Sequence, residues 1–233
     1  MSTLFDELYN QRNDEKAVFL SRFFKTAKGE YGYGDKFLGI TVPIQRNIVK
    51  KHYKNITLEE IESLLHSEFH EVRLSSLLLL TYKIKESNVQ EQGKIVKLYL
   101  KNTKYVDNWD LVDSSASYIL GYYLYENNLD KTIIYDLAVS QDLWEQRIAI
   151  ISTHYFIKKN MFDDTINISK ILLDSKEDLI HKAVGWMLRE VGKKDRTILY
   201  NFLLDYHKTM PRTMLRYAIE HFSKDEREMF LKS

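Results

Sequence analysis

Apolar residues recur at spacings of three and four along almost the whole chain, as in Ile148, Ile151, Tyr155 and Ile157 or Leu172, Leu179, Val184 and Leu188. No segment alternates in the manner of a strand, so this one pattern predicts helix throughout. The two prolines fit it. Pro43 in "TVPIQRNIVKK" and Pro211 in "TMPRTMLRYAIEHF" each follow a threonine able to cap, and each stands where a helix should begin. "TLEE" at 57–60 reads as a capping box, with Thr57 at the cap and Glu60 reaching back. Four of the eight glycines fall in "KGEYGYGDKFLG", residues 28–39, which lacks the Gly-Lys-Ser/Thr ending of a phosphate-binding loop and reads as a connector.

Three windows resemble one another: "HSEFHEVRLSSLLLLTY" from His66, "SQDLWEQRIAIISTHYF" from Ser140 and "SKEDLIHKAVGWMLREV" from Ser175. Each has a small polar start, an acid, and a basic residue ahead of a long apolar helix. The basic positions, Arg73, Arg147 and Lys182, lie 74 and 35 residues apart, so the wider gap is about two units of the narrower. A period in the thirties built from helix pairs is the mark of a HEAT-like array. The expectation is an all-α fold, a curved HEAT-like helical-repeat solenoid forming a single domain over 1–233, in which one helix of each pair lines the concave side and the starts of these helices can face a common groove. A compact helical bundle is the other architecture that would give this pattern.

Composition narrows the class. With 233 residues, 44% of them hydrophobic, the chain can bury one substantial core or a series of smaller ones. The absence of cysteine removes disulfides, thiolate metal sites and cysteine nucleophiles. The first twenty residues carry acids and no apolar run, unlike a signal peptide. The longest apolar stretch, around Leu77–Leu80, falls far short of the roughly 20 residues a bilayer requires. A soluble, cytoplasmic protein with no membrane association is expected. The net charge of +1 hides an asymmetry: residues 1–60 hold 10 Lys/Arg against 8 Asp/Glu and residues 181–233 hold 11 against 7, while 121–180 hold 6 against 10. Basic ends permit a polyanionic partner.

Between the first two windows lies "KYVDNWDLVDSSASYIL", residues 104–120, where Asp107, Asp110 and Asp113 surround Trp109. If Asp107 or Asn108 caps a helix there, Trp109 and Asp113 stand at i and i+4 on one face. An indole and a carboxylate presented together suit a cation, through the ring quadrupole and through direct charge. The plainer reading has the acids complementing the helix dipole while Trp109 packs between repeats.

Taken in order, "FLGITVPIQRNIVKK", "NWDLVD", "LWEQRIAI" and "HKAVGWMLRE" resemble the motifs of the AlkD family of DNA glycosylases, over nearly the whole chain from about Phe37. The resemblance implies a HEAT-like solenoid that excises purines alkylated at N3 or N7 from duplex DNA, acting as a monomer without metal or other cofactor. It implies that Asp113 is the catalytic carboxylate, that Trp109 and Trp186 flank the lesion nucleotide, and that Arg147 holds an adjacent phosphate. One position departs from the pattern: Asn108 stands where that family commonly has a second aromatic, which bears on substrate range.

Further phosphate contacts are expected from helix starts and basic residues facing the groove: Arg46 and Lys50, an i, i+4 pair on the Pro43 helix; Arg212 and Arg216, likewise on the Pro211 helix; and Lys182, Lys193 and Lys194. His66 and His70 have the spacing of helical zinc ligands but no third ligand, and read as core or surface histidines. Tyr122, Tyr123 and Tyr125 read as packing between repeats. The alternative function is a non-catalytic DNA-binding solenoid that recognises damaged or branched DNA by shape and backbone charge. A carboxylate at Asp113 tells the two apart, since a pure binder of polyanions has no need of it.

Overall fold

The computed structural model describes residues 3–232, and the described residues contain helices and turns with no strand beyond an isolated bridge between Lys36 and Phe69. No helix among them is long and apolar enough to cross a membrane. Two compact units divide the chain, one running to Ser115 and the other starting at Ala116.

The first unit contains α1 (Thr3–Tyr9), α2 (Asp14–Phe23), α3 (Val42–His52), α4 (Leu58–Leu65), α5 (His70–Glu86), α6 (Val89–Lys101) and, after a 3-10 turn at Thr103–Tyr105, the short α7 (Trp109–Asp113). Its centre is α5. Leu77–Leu80 are 0–1% exposed, so this helix is apolar on all sides and packs against α3, α4, α6 and α7 at once. Thr57 does form the capping box with Glu60, each side chain bonding the other residue's backbone N–H. Asn13 and Asn88 cap α2 and α6 with their side-chain oxygens, which accept from the Lys16 and Glu91 N–H groups.

The second unit opens with a π turn at Ser117–Gly121 and continues through α8 (Tyr122–Glu126), α9 (Thr132–Ala138), α10 (Leu143–Lys158), α11 (Asp163–Ile171), α12 (Asp178–Lys194), α13 (Arg196–Tyr206), α14 (Arg212–Ala218) and α15 (Lys224–Lys232). Here α10 and α12 form the buried pair, with α9 and α11 against α10 and α13 and α14 against α12. Gly185 permits the close approach of α12 to α14, because a Cβ there would lie 2.5 Å from the Met214 carbonyl oxygen on α14.

The repeat expected from the sequence is present as helix pairs. The helices that begin at His70, Trp109, Leu143, Asp178 and Arg212 start 34–39 residues apart, each preceded by a helix of its own pair. The all-α helical-repeat class therefore holds. The threonine caps differ in detail: Thr41 occupies the N-cap of α3 without a side-chain bond, and the Thr209 hydroxyl donates to the Tyr206 carbonyl, closing α13 and leaving α14 to start after Pro211.

Candidate active site

The segment around Trp109 is built by local chemistry first. Asn108, fully buried, accepts from the Trp109 N–H at 2.9 Å and so caps α7; the residue that departs from the expected aromatic serves as the helix cap. Asp110 Oδ1 accepts from the Leu111 N–H at 2.9 Å. Trp109 and Asp113 then stand at the two ends of this five-residue helix, one turn apart and both half-buried. Asp113 lies close enough to buried Tyr99 to help raise its hydroxyl pKa, chiefly a result of burial.

Two of the three aspartates around Trp109 are held by cations from the first turn of α5. His70 donates from Nε2 to Asp110 at 2.8 Å and from Nδ1 to Asp35 at 2.7 Å. Arg73 Nη2 donates to Asp107 at 2.9 Å and to Asp35 at 3.1 Å. His70 is 2% exposed and packs against both Phe24 and Phe37, whose centroids are 4.9 and 4.6 Å from its own and which stack on each other at 5.1 Å. Burial opposes its charge, but Asp110 and Asp35 outweigh that and raise its pKa to about 9, so it is an imidazolium at neutral pH. For Asp107 burial wins over Arg73, and its carboxyl is held above the usual range. Trp109 packs against this cluster, 5.4 Å from Phe24 and nearly parallel to it, with Phe23 edge-on at 6.1 Å.

The glycine-rich loop preceding α3 is a connector, as expected, and its backbone also forms an anion nest. The N–H groups of Leu38, Gly39 and Ile40 all donate to the buried Glu71 carboxylate at 2.8–3.1 Å, so the protein fills this nest itself. Gly39 has φ +79°, and a Cβ there would meet the Asn13 carbonyl oxygen at 2.1 Å, which restricts the position to glycine.

In the second unit Arg147 is 5% exposed and its Nη1 donates to the Leu179 carbonyl at 2.5 Å, tying α10 to the first turn of α12. Trp186 is half-buried on α12, its indole N–H donating to Glu190 at 3.2 Å and its ring 5.6 Å from that of His154. Burial and nearby Lys158 push His154 down to about 4, so a neutral imidazole stands beside the indole. Of the expected phosphate contacts, Lys182 and Lys193 each pair with a carboxylate on their own helix, Asp178 and Glu190, both at 2.7 Å. Arg212 donates to the Leu231 carbonyl at 2.6 Å, while Arg216 and Lys194 are exposed; on α3 Arg46 is half-buried and Lys50 exposed.

A family model described as DNA alkylation repair enzyme matches residues 4–222. The chain belongs to the DNA alkylation repair enzyme family. Solved structures agree on the fold. A protein from Enterococcus faecalis described as a predicted DNA alkylation repair enzyme superposes with a TM-score of 0.72 at 18% identity, covering 92% of this chain and 98% of that one. AlkD2 from Streptococcus mutans gives 0.58 at 16%, over 91% and 99%, and smu.31 from Streptococcus mutans UA159 gives 0.54 at 16%, over 90% and 98%. A comparison with curated protein sequences found no match.

For this DNA alkylation repair family member, the sequence located the helix carrying Trp109 and Asp113 but missed what surrounds it. Phe23, Phe24, Phe37 and Asp35 come from α2 and the following loop, and His70 from α5. Of these, His70 carried a signal as half of an i, i+4 histidine pair, and Phe37 as the first residue of the "FLGITVPIQRNIVKK" motif. The other half, His66, bonds Asn102 at 2.7 Å with its ring on Tyr105, and both histidines are therefore engaged by the protein. The tyrosine cluster packs as expected, with Tyr122 and Tyr125 against Tyr155 on α10.

Proposed function

We propose that this protein is a monofunctional DNA glycosylase that releases N3- or N7-alkylated purines from duplex DNA. The observation that carries the reading is α7, where an indole and a carboxylate sit one turn apart on a helix whose other acid, Asp110, is engaged by His70, while Asp107 just before it is engaged by Arg73. Such lesions are cationic, so the C1′–N bond is already weak and the base leaves as a neutral molecule carrying the bonding electron pair. Positive charge builds on the deoxyribose as the bond lengthens. Asp113 stabilises that charge and accepts a proton from the water whose oxygen bonds to C1′. The reaction balances with water alone and calls on no metal or redox cofactor.

In this reading Trp109 and Trp186 contact the sugar and backbone of the lesion nucleotide, and Arg147 holds an adjacent phosphate while keeping its bond to the Leu179 carbonyl, a double duty that five guanidinium donors allow. Arg46, Lys50, Lys182, Lys193, Arg212 and Arg216 supply the sequence-independent attraction to phosphate. The protein acts as a monomer in the cytoplasm. Methylated duplex DNA incubated with purified protein should release 7-methylguanine and 3-methyladenine, measured by chromatography of the freed bases. Salt-sensitive DNA binding with no base released would instead make this a module that recognises damaged or branched DNA by shape.

A further inference from the structure

A helix of five residues does not hold its own orientation, since far longer isolated helices are marginal in water. What orients α7 lies on α5. Asp107, two residues before Trp109, is bonded by Arg73, and Asp110, one residue after it, by His70. The two cations are one turn apart, so α7 is gripped at its approach and in its first turn by the same face of α5. His70 is held fast, with both nitrogens bonded to carboxylates and its ring packed against Phe24 and Phe37 in a cluster of three mutually touching rings. Phe24 then passes that constraint on, since it packs against both His70 and Trp109.

We infer that His70 and Arg73 are positioning residues for the glycosylase reaction: they fix the roll of α7, and so the placement of Trp109 and Asp113, while cancelling the charge of two carboxylates beside the DNA-facing helix. The inference rests on the function proposed above and deepens it. Asp113 lies one turn beyond Asp110, so any rotation of α7 that Asp110 permits is carried directly to the reacting carboxylate. Displacements of roughly 1 Å cost on the order of 100-fold when geometry sets the rate. The charge effect acts in the same direction, because an unpaired Asp110 would add repulsion toward phosphate.

The test is single-turnover release of 7-methylguanine by wild type, His70→Gln and Asp110→Asn, each with Asp113 intact and with Asp113→Asn, alongside DNA affinity and thermal unfolding. Asp110→Asn keeps the shape of a side chain at 15% exposure and serves if His70→Gln fails to fold. Both variants should lose about 10- to 100-fold in rate, with affinity changed by a few-fold at most. Both should lose distinctly less when Asp113 is already asparagine, because the part of the effect that acts through Asp113 is then gone and only the part through Trp109 remains. Wild-type rates in folded variants would overturn the inference, as would an equal loss in both backgrounds, the signature of mere destabilisation. A wild type that releases no base would overturn the glycosylase reading itself, a result distinct from either of these.

Discussion

His70 shows how one residue ties stability to pH. Burial alone would lower its pKa, yet Asp110 and Asp35 bring it to about 9, above the ordinary 6.5. The folded state therefore binds this proton more tightly than the unfolded chain does. Its contribution is complete below about pH 6.5 and is lost as pH rises through 9, a swing on the order of 3 kcal/mol. Denaturant titrations between pH 6.5 and 9.5 should show stability falling, and His70→Gln should flatten that dependence while lowering the plateau below pH 7. A wild-type curve flat over this range would contradict the buried imidazolium. None of this was legible in the sequence, because Asp35 and Asp110 lie 35 and 40 residues from His70 and no local pattern pairs them. The i, i+4 relation of Trp109 and Asp113 was legible, being a property of one helix.

At the scale of elements, what could be read ahead was what is local. The capping box at Thr57, the helix start at Pro43 and the 34–39 residue spacing of the long helices all follow from short-range rules. Thr57→Ala should therefore cost about 1 kcal/mol in unfolding free energy, since it leaves the Glu60 N–H without its partner. The contact between α12 and α14 depends on a different feature, the missing side chain at Gly185. Gly185→Val would drive a Cβ into the Met214 carbonyl and the Tyr217 Cβ, both at 2.5 Å, and should lower stability by roughly 1–3 kcal/mol, read as a fall in Tm. An unchanged Tm would mean that the two helices separate at no cost. Arg147 marks the limit of local reading. Its place at a helix start was visible in the sequence; its burial against Leu179 was not, because that contact joins α10 to α12.

For the whole molecule the decisive quantities are charge and chemistry. The net charge of +1 conceals an excess of basic residues at both ends of the chain. If the seven phosphate contacts proposed above are made, observed affinity for duplex DNA should fall on the order of 1,000- to 10,000-fold between 50 and 200 mM salt. Replacing Arg46 and Lys50 together by alanine should reduce the slope of log affinity against log salt by about 2, whatever the DNA sequence. A slope unaffected by that change would remove α3 from the interface. The central claim concerns Asp113, and the most direct measurement is the single-turnover rate of 7-methylguanine release by Asp113→Asn beside wild type, with DNA affinity determined on the same preparations. The account predicts active wild type and a variant at least 100-fold slower that binds DNA as tightly or more tightly, since a negative charge facing phosphate has been removed. A variant that excises at the wild-type rate would contradict it, and Asp113 would then have no part in the chemistry.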